Sequence, residues 1–201
     1  MSVHNPVHLP RPAHLRRPML DVLGEMALAR ARAHEFCGPA RQMLALMVAG
    51  AMPGEVFWIA PRWQRDALNP DGMAAFAEPG RFTFLAPRRD ADLLWSLEEV
   101  LRSGAVPLAV VELPSPPGMT AVRRLHLAAE TGAAEGTGAP LGLLLTPGDG
   151  GAPGIETRWQ MAQAHRPDAP GWLLSRRRAR TLPPKAWRLT GRPGRWRLTP
   201  A

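Results

Sequence analysis

Gly38, Pro39 and Arg41 stand where a short apolar strand, His34 to Cys37, runs into a strongly apolar helix that begins near Ala40. A phosphate-binding loop belongs at such a junction. Its glycines let backbone N–H groups wrap the phosphates, a Lys reaches the β/γ oxygens, and a Ser/Thr hydroxyl holds magnesium. Here the strand, the Gly38-Pro39 opening and the helix are present, but no Gly-Lys-Ser/Thr follows, and the loop is about three residues too short for one. Arg41, at a helix N-terminus, can still attract an anion, or it is a plain helix-start arginine.

A second set of chemistry-bearing residues lies near the C-terminus. Trp159, Trp172, Trp187 and Trp196 are interleaved with Arg158, Arg176, Arg177, Arg178, Arg180, Arg188, Arg195 and Arg197. Trp faces stack on unpaired bases while Arg neutralises phosphates, the arrangement of sequence-tolerant single-strand binders. In the competing reading the Trp side chains pack a hairpin onto the core and the arginines form a solvated face. The run Arg176-Arg177-Arg178 points to an acidic partner, DNA or protein. The six histidines show no metal-ligand spacing. Cys37, beside the degenerate loop, is either a thiol activated at a helix N-terminus or a small buried apolar residue.

Charge is distributed unevenly. Residues 157–201 hold 11 Arg/Lys and one acid, Asp168, a net +10, whereas residues 1–156 are at −2, within a total of +8. Lys185 is the only lysine, and with Ala, Gly and Pro also abundant the preference for Arg reflects either a GC-rich coding bias or arginine chemistry, which weakens an argument from Arg over Lys. The 45% apolar fraction suffices for a core, and a single Cys fits a reducing compartment. The N-terminus has Pro and His where an export signal needs an apolar run. No apolar stretch reaches the roughly 18 residues that span a bilayer. Cytoplasmic residence is the expectation, with no membrane partner.

The elements that must position these residues alternate. Residues 1–18, rich in proline and without apolar periodicity, are expected to form a flexible arm. Residues 19–33 have apolar positions at Leu20, Leu23, Ala27 and Leu28 and are expected to form an amphipathic helix. Strands are expected at 34–37, 55–60, 82–85, 106–113 and 140–145, and helices at 40–51, 90–103 and 120–131, with Gly104 as a helix stop. Residues 65–77 form a weak helical region with a turn at Asn69-Pro70-Asp71-Gly72. Such alternation indicates right-handed βαβ crossovers and a mainly parallel sheet with helices on both faces. Beyond Gly151 short Trp/Arg/Leu runs imply a β-rich extension, with Gly191-Arg192-Pro193-Gly194 turning a hairpin. The division is an arm at 1–18, an α/β core at 19–150 and a basic region at 151–201.

The order of these elements and several local words resemble a known family. Phe36-Cys37-Gly38-Pro39 resembles the opening of the RecA phosphate loop, and Leu101 to Val106 followed by Leu108 to Glu112 resembles the segment bearing the Walker B acid. His-Glu-Phe-x-Gly-Pro at 34–39, Arg89-Asp90-Ala91-Asp92-Leu93-Leu94-Trp95, Arg123 to Glu130 and Thr157-Arg158-Trp159 are similar to ImuA, the RecA-like accessory protein of damage-induced mutagenesis. The resemblance spans roughly residues 34–164 and implies a RecA-like P-loop NTPase-type core. It puts Glu112 at the magnesium-orienting carboxylate and makes Gly38, Pro39, Arg41 and Glu112 remnants of a nucleotide site. The water-activating acid belongs near Pro61 or Arg62, where no carboxylate stands. With loop cation, magnesium hydroxyl and general base all missing, hydrolysis loses its charge stabilisation. A pseudo-ATPase is expected, with at most vestigial ATP binding and no other cofactor.

The resemblance implies a non-catalytic adaptor in SOS-induced translesion synthesis. Its partners are RecA, an ImuB-type Y-family polymerase-like protein, an error-prone replicative-type polymerase and single-stranded DNA. The basic region, through Arg158, Trp159, Arg176, Arg177, Arg178, Arg180, Arg188, Trp196 and Arg197, docks one of them. The alternatives are a weak DNA-stimulated ATPase, a SulA-type cell-division inhibitor and a free-standing single-strand DNA-binding module.

Overall fold

The computed structural model describes residues 18–64, 68–167 and 169–201. The arm expected over 1–18 lies, apart from Pro18, outside the described residues.

In chain order the strands are β1 (Met19–Leu23), β2 (Met26–Ala29), β3 (Arg32–Cys37), β4 (Val56–Ile59), β5 (Phe82–Leu85), β6 (Leu108–Glu112), β7 (Leu141–Leu145), β8 (Thr157–Gln163), β9 (Gly171–Ala179), β10 (Lys185–Arg192) and β11 (Arg195–Pro200). The helices are α1 (Arg41–Ala51), α2 (Pro70–Ala74), α3 (Asp90–Ser103) and α4 (Met119–Glu135).

β3, β6 and β7 are buried along their whole length, as strands covered on both faces must be. They lie inside one nine-stranded sheet of order β11-β10-β9-β8-β3-β7-β6-β4-β5. Pairing is parallel from β5 across to β8 and antiparallel from β8 through β11.

The expected core, a RecA-like P-loop type with a mainly parallel sheet and a β-rich extension outside it, is therefore overturned. The fold is a mixed α/β one in which strand residues outnumber helical ones. The composition changes after Gly148, but hydrogen bonding does not follow composition: β3 pairs with β7 on one side and with β8 on the other.

α1, with the β1–β2 hairpin, covers one face of the sheet, where Phe36, Leu44, Trp58, Trp159 and Trp187 share a core. α3 and α4 cover the other face over Leu93, Leu97, Val111, Leu125 and Leu144. α3 shows why these segments are helical. Asp90 and Asp92 lie in its first turn and Arg102 in its last, complementing the helix dipole, Leu93, Leu97 and Leu101 repeat on one buried stripe, and Gly104 closes it at φ +59°.

The expected helix over residues 19–33 is also overturned. β1 and β2 pair antiparallel around a turn at Gly24, with φ +51°. Leu20, Val22, Met26 and Leu28 alternate, and the last two are fully buried; a period of two competed with the helical one and prevailed. Asn69 starts α2 instead of turning the chain, its side chain accepting the Asp71 N–H at 2.9 Å with Pro70 at the first position.

Candidate functional site

The carboxyl ends of β3, β4 and β6 meet below α1, where an open parallel sheet ordinarily receives ligands. Gly38 leaves β3 at φ +83°, and a Cβ there would stand 2.6 Å from the Met161 carbonyl oxygen. The backbone donors at this junction are occupied. Gly38 N–H donates to Gly148 O at 2.9 Å, Ala40 N–H to Met161 O at 3.0 Å and Arg41 N–H to Gly38 O at 3.3 Å, while Pro39 has no N–H. Arg41 turns back as well, its Nη1 donating to Gly38 O at 3.2 Å. A phosphate cradle depends on free N–H groups aimed at the ligand; these are aimed at carbonyls of the chain and bind the junction to β8.

Glu112 ends β6 with 4% of its surface exposed. Its carboxylate accepts from Trp58 Nε1 at 2.8 Å, from Gln42 Nε2 at 2.9 and 3.1 Å and from Gln64 Nε2 at 2.9 Å. All three donors are neutral. They join α1, β4, the segment after β4 and β6 through one side chain, and they occupy the oxygens that a hydrated cation would use. A cleft of about 210 Å³ opens beside this network, with an apolar wall that includes Leu68 and Phe84 and a floor at Trp58 and Glu112. Pro61, Arg62 and Gln64 line this cleft where a water-activating acid was expected, and none of them can take a proton in that role.

A second buried carboxylate went unassigned in the sequence. Glu35 in β3 is fully buried and accepts from Thr146 Oγ1 and Gly151 N–H, both at 2.8 Å, from Ala152 N–H at 3.1 Å, and from Arg158 Nε. An acid inside an otherwise apolar strand was the available signal, because such a group must find partners.

His34, His126 and Cys37 are structural. His34 is bonded to Thr157 Oγ1 at 2.7 Å and Ala29 O at 2.9 Å, and burial pushes its imidazole down to about 4. His126 Nδ1 accepts the Ala33 N–H at 3.3 Å; burial lowers its pKa too. Cys37 is buried, and desolvation followed by the neighbouring Glu35 pushes its thiol up to about 11, the opposite of an activated nucleophile. No group of three or more potential metal ligands occurs among the described residues.

The structure divides the C-terminal candidates. Trp159 is 1% exposed and stacks on Trp187 with centroids 5.7 Å apart. Arg176, 4% exposed, lies over both rings at 5.8 and 5.3 Å and donates from Nε to Pro183 O at 3.1 Å. Trp196 is half-buried, stacked on Phe76 at 6.2 Å. Arg158 is held by Glu35 and Arg180 by Glu156 at 3.1 Å, and Arg188 Nη1 donates to Ala164 O at 3.2 Å. Arg177, Arg178 and Arg197 are exposed.

No helix among the described residues is long and apolar enough to cross a membrane. No protein-family model matches the chain, and no curated protein matches it. Among solved structures, SulA from Pseudomonas aeruginosa is similar over 58% of this chain and 98% of that one, at 18% identity and a TM-score of 0.46. A likeness this slight leaves the function to be argued from the residues.

Proposed function

We propose that the chain is a non-catalytic adaptor in damage-induced translesion DNA synthesis, cytoplasmic, joining RecA to an ImuB-type polymerase-like protein and its error-prone polymerase. The pathway comes from the sequence words shared with ImuA. The absence of catalysis is supported above all by one observation: the donors of Gly38, Ala40 and Arg41 bond to carbonyls of the chain itself, so no cradle is left for phosphates. The neutral donors around Glu112 support the same reading.

The test joins two measurements on the full chain, equilibrium titration with labelled ATP and capture of purified RecA filaments and of the ImuB-type protein. Capture of both partners with no ATP turnover is the expected result. Turnover abolished by Glu112→Gln makes the chain a weak ATPase and overturns the reading. Capture of neither partner, together with arrested septation when the chain is expressed in cells lacking the polymerase partner, replaces it with a SulA-type inhibitor of division.

A further inference from the structure

The antiparallel strands β8 to β11 have two unlike faces, and the register assigns every side chain outside the β9 bulge to one of them. Trp159, Trp172, Trp187 and Trp196 all turn toward the core beneath α1 and the β1–β2 hairpin. Their cross-strand neighbours settle the opposite face. Arg158, which reaches Glu35, is paired with Arg178. Arg188 lies opposite Leu173 and Thr199, Arg197 opposite Thr190, and Arg192 opposite Arg195.

The outer face of these strands thus carries Arg178, Arg188, Arg192, Arg195 and Arg197. No acid accompanies them: in residues 157–201 the single carboxylate is Asp168, which is outside the described residues. At the border, Asp149 accepts from Gln160 and Glu156 pairs with Arg180. Among the described residues no ion pair engages any of these five arginines. α3 and α4, the helices on this side of the sheet, pack on β3, β4, β6 and β7, and Leu173 is left 39% exposed.

Such a face calls for an anion. Arg192 and Arg195 are directly opposite across the ladder, a like-charge pair that is destabilising until neutralised. The chain's own residues 1–17 contain three Arg and no acid and cannot supply the counter-charge, and a second copy of the face repels the first. Between an acidic protein and a nucleic acid, the side chains favour the latter. Protein interfaces are anchored by buried aromatic and apolar groups, and here Leu173 is the sole large apolar side chain among the arginines. Phosphate contacts need only Arg forks with hydroxyl donors, which Thr190 and Thr199 on the same face provide.

We propose that this open sheet face binds the phosphate backbone of nucleic acid without stacking on bases, taking single and double strands alike. The proposal deepens the adaptor reading and takes from it only the biological setting; the surface itself follows from the register. Fluorescence anisotropy of the full chain with a labelled single strand and the matching duplex, from about 50 to about 200 mM salt, tests it. Both are expected to bind, with affinity falling steeply as salt rises and Trp emission unchanged. The R192A/R195A/R197A variant, altered at three exposed positions, is expected to fold as the parent by circular dichroism and to lose about one unit of salt slope per arginine.

An unchanged slope in that variant, or no binding at the lowest salt, overturns the proposal. So does single-strand-only binding with Trp quenching, which means stacking. Binding of polyglutamate with none of nucleic acid overturns it in favour of an acidic protein partner. Failure here leaves the partner-capture result standing, and failure of capture leaves this one standing.

Discussion

Glu112 and Glu35, both buried in parallel strands, are held by different chemistry. Glu35 has a guanidinium, a hydroxyl and backbone N–H groups, whereas Glu112 has three neutral N–H donors. Glu112→Gln removes the acceptor capacity on which Trp58, Gln42 and Gln64 depend and leaves buried donors facing an amide. The expected cost is about 1–3 kcal/mol, read as a lower urea midpoint at unchanged m-value. His34 makes the protein acid-sensitive. Burial pushes its pKa down to about 4 in the fold from the ordinary 6.5, so the unfolded chain binds the extra proton between those values. Stability is therefore full above about pH 6.5 and is lost as pH falls toward 4, by on the order of 3 kcal/mol at 1.36 kcal/mol per unit. A thermal-melting series over that range checks it, with His34→Gln expected to flatten the slope; His126 contributes in the same direction. At this scale the sequence revealed Glu112 at the end of an apolar strand but not its donors. Gln42 and Gln64 are 70 and 48 residues away, and no local pattern encodes a contact that only the crossovers create.

Elements were most legible where one period acted alone. α3 was expected over 90–103 and is found over Asp90–Ser103 with Gly104 as its stop, because its terminal glycine, its charges and its leucine stripe all agree. α4 runs past the expected end at Thr131 to Glu135, since Gly132 is there for contact and not to end the helix. A Cβ at Gly132 would stand 2.0 Å from Leu101 O and 3.1 Å from the Gly104 Cα. The two helices therefore touch backbone to backbone at these glycines. Gly132→Ala must drive them apart, and overpacking of this kind costs about 1–3 kcal/mol or more, against the few tenths to 1 kcal/mol that Ala gains over Gly in a helix. Gly72→Ala, in a helix with nothing within 4 Å of the new methyl, is the control. Differential scanning calorimetry is expected to show a lower melting temperature for the first variant and an equal or higher one for the second.

For the molecule as a whole, the boundary suggested by composition near Gly151 runs through the middle of the hydrogen-bonded sheet. β8 is the partner of β3 through Glu35, Phe36 and Cys37. It supplies Met161 O to the Gly38–Arg41 junction, Arg158 to Glu35, and Trp159 and Met161 to the core under α1. A chain ending at Gly151 has an unpaired edge on β3, one of its fully buried strands, a pairing template of the kind native proteins avoid exposing, and it strips Glu35 of Arg158, its only charged partner, a loss of about 3–5 kcal/mol on its own. Against a typical total of about 5–15 kcal/mol, these losses leave no folded state, and the truncated chain is expected to be insoluble or to lack a cooperative thermal transition by circular dichroism. Ending at Gly194 instead removes only β11 and leaves β10 as a new edge, so this shorter loss is expected to lower the melting temperature while the transition persists. A soluble, cooperatively melting 1–151 fragment is the result that would restore an independent core. Because the basic strands are part of the fold, the proposed nucleic-acid contact must be tested by surface substitutions such as Arg195→Ala and not by deletion, where lost binding and lost structure cannot be told apart.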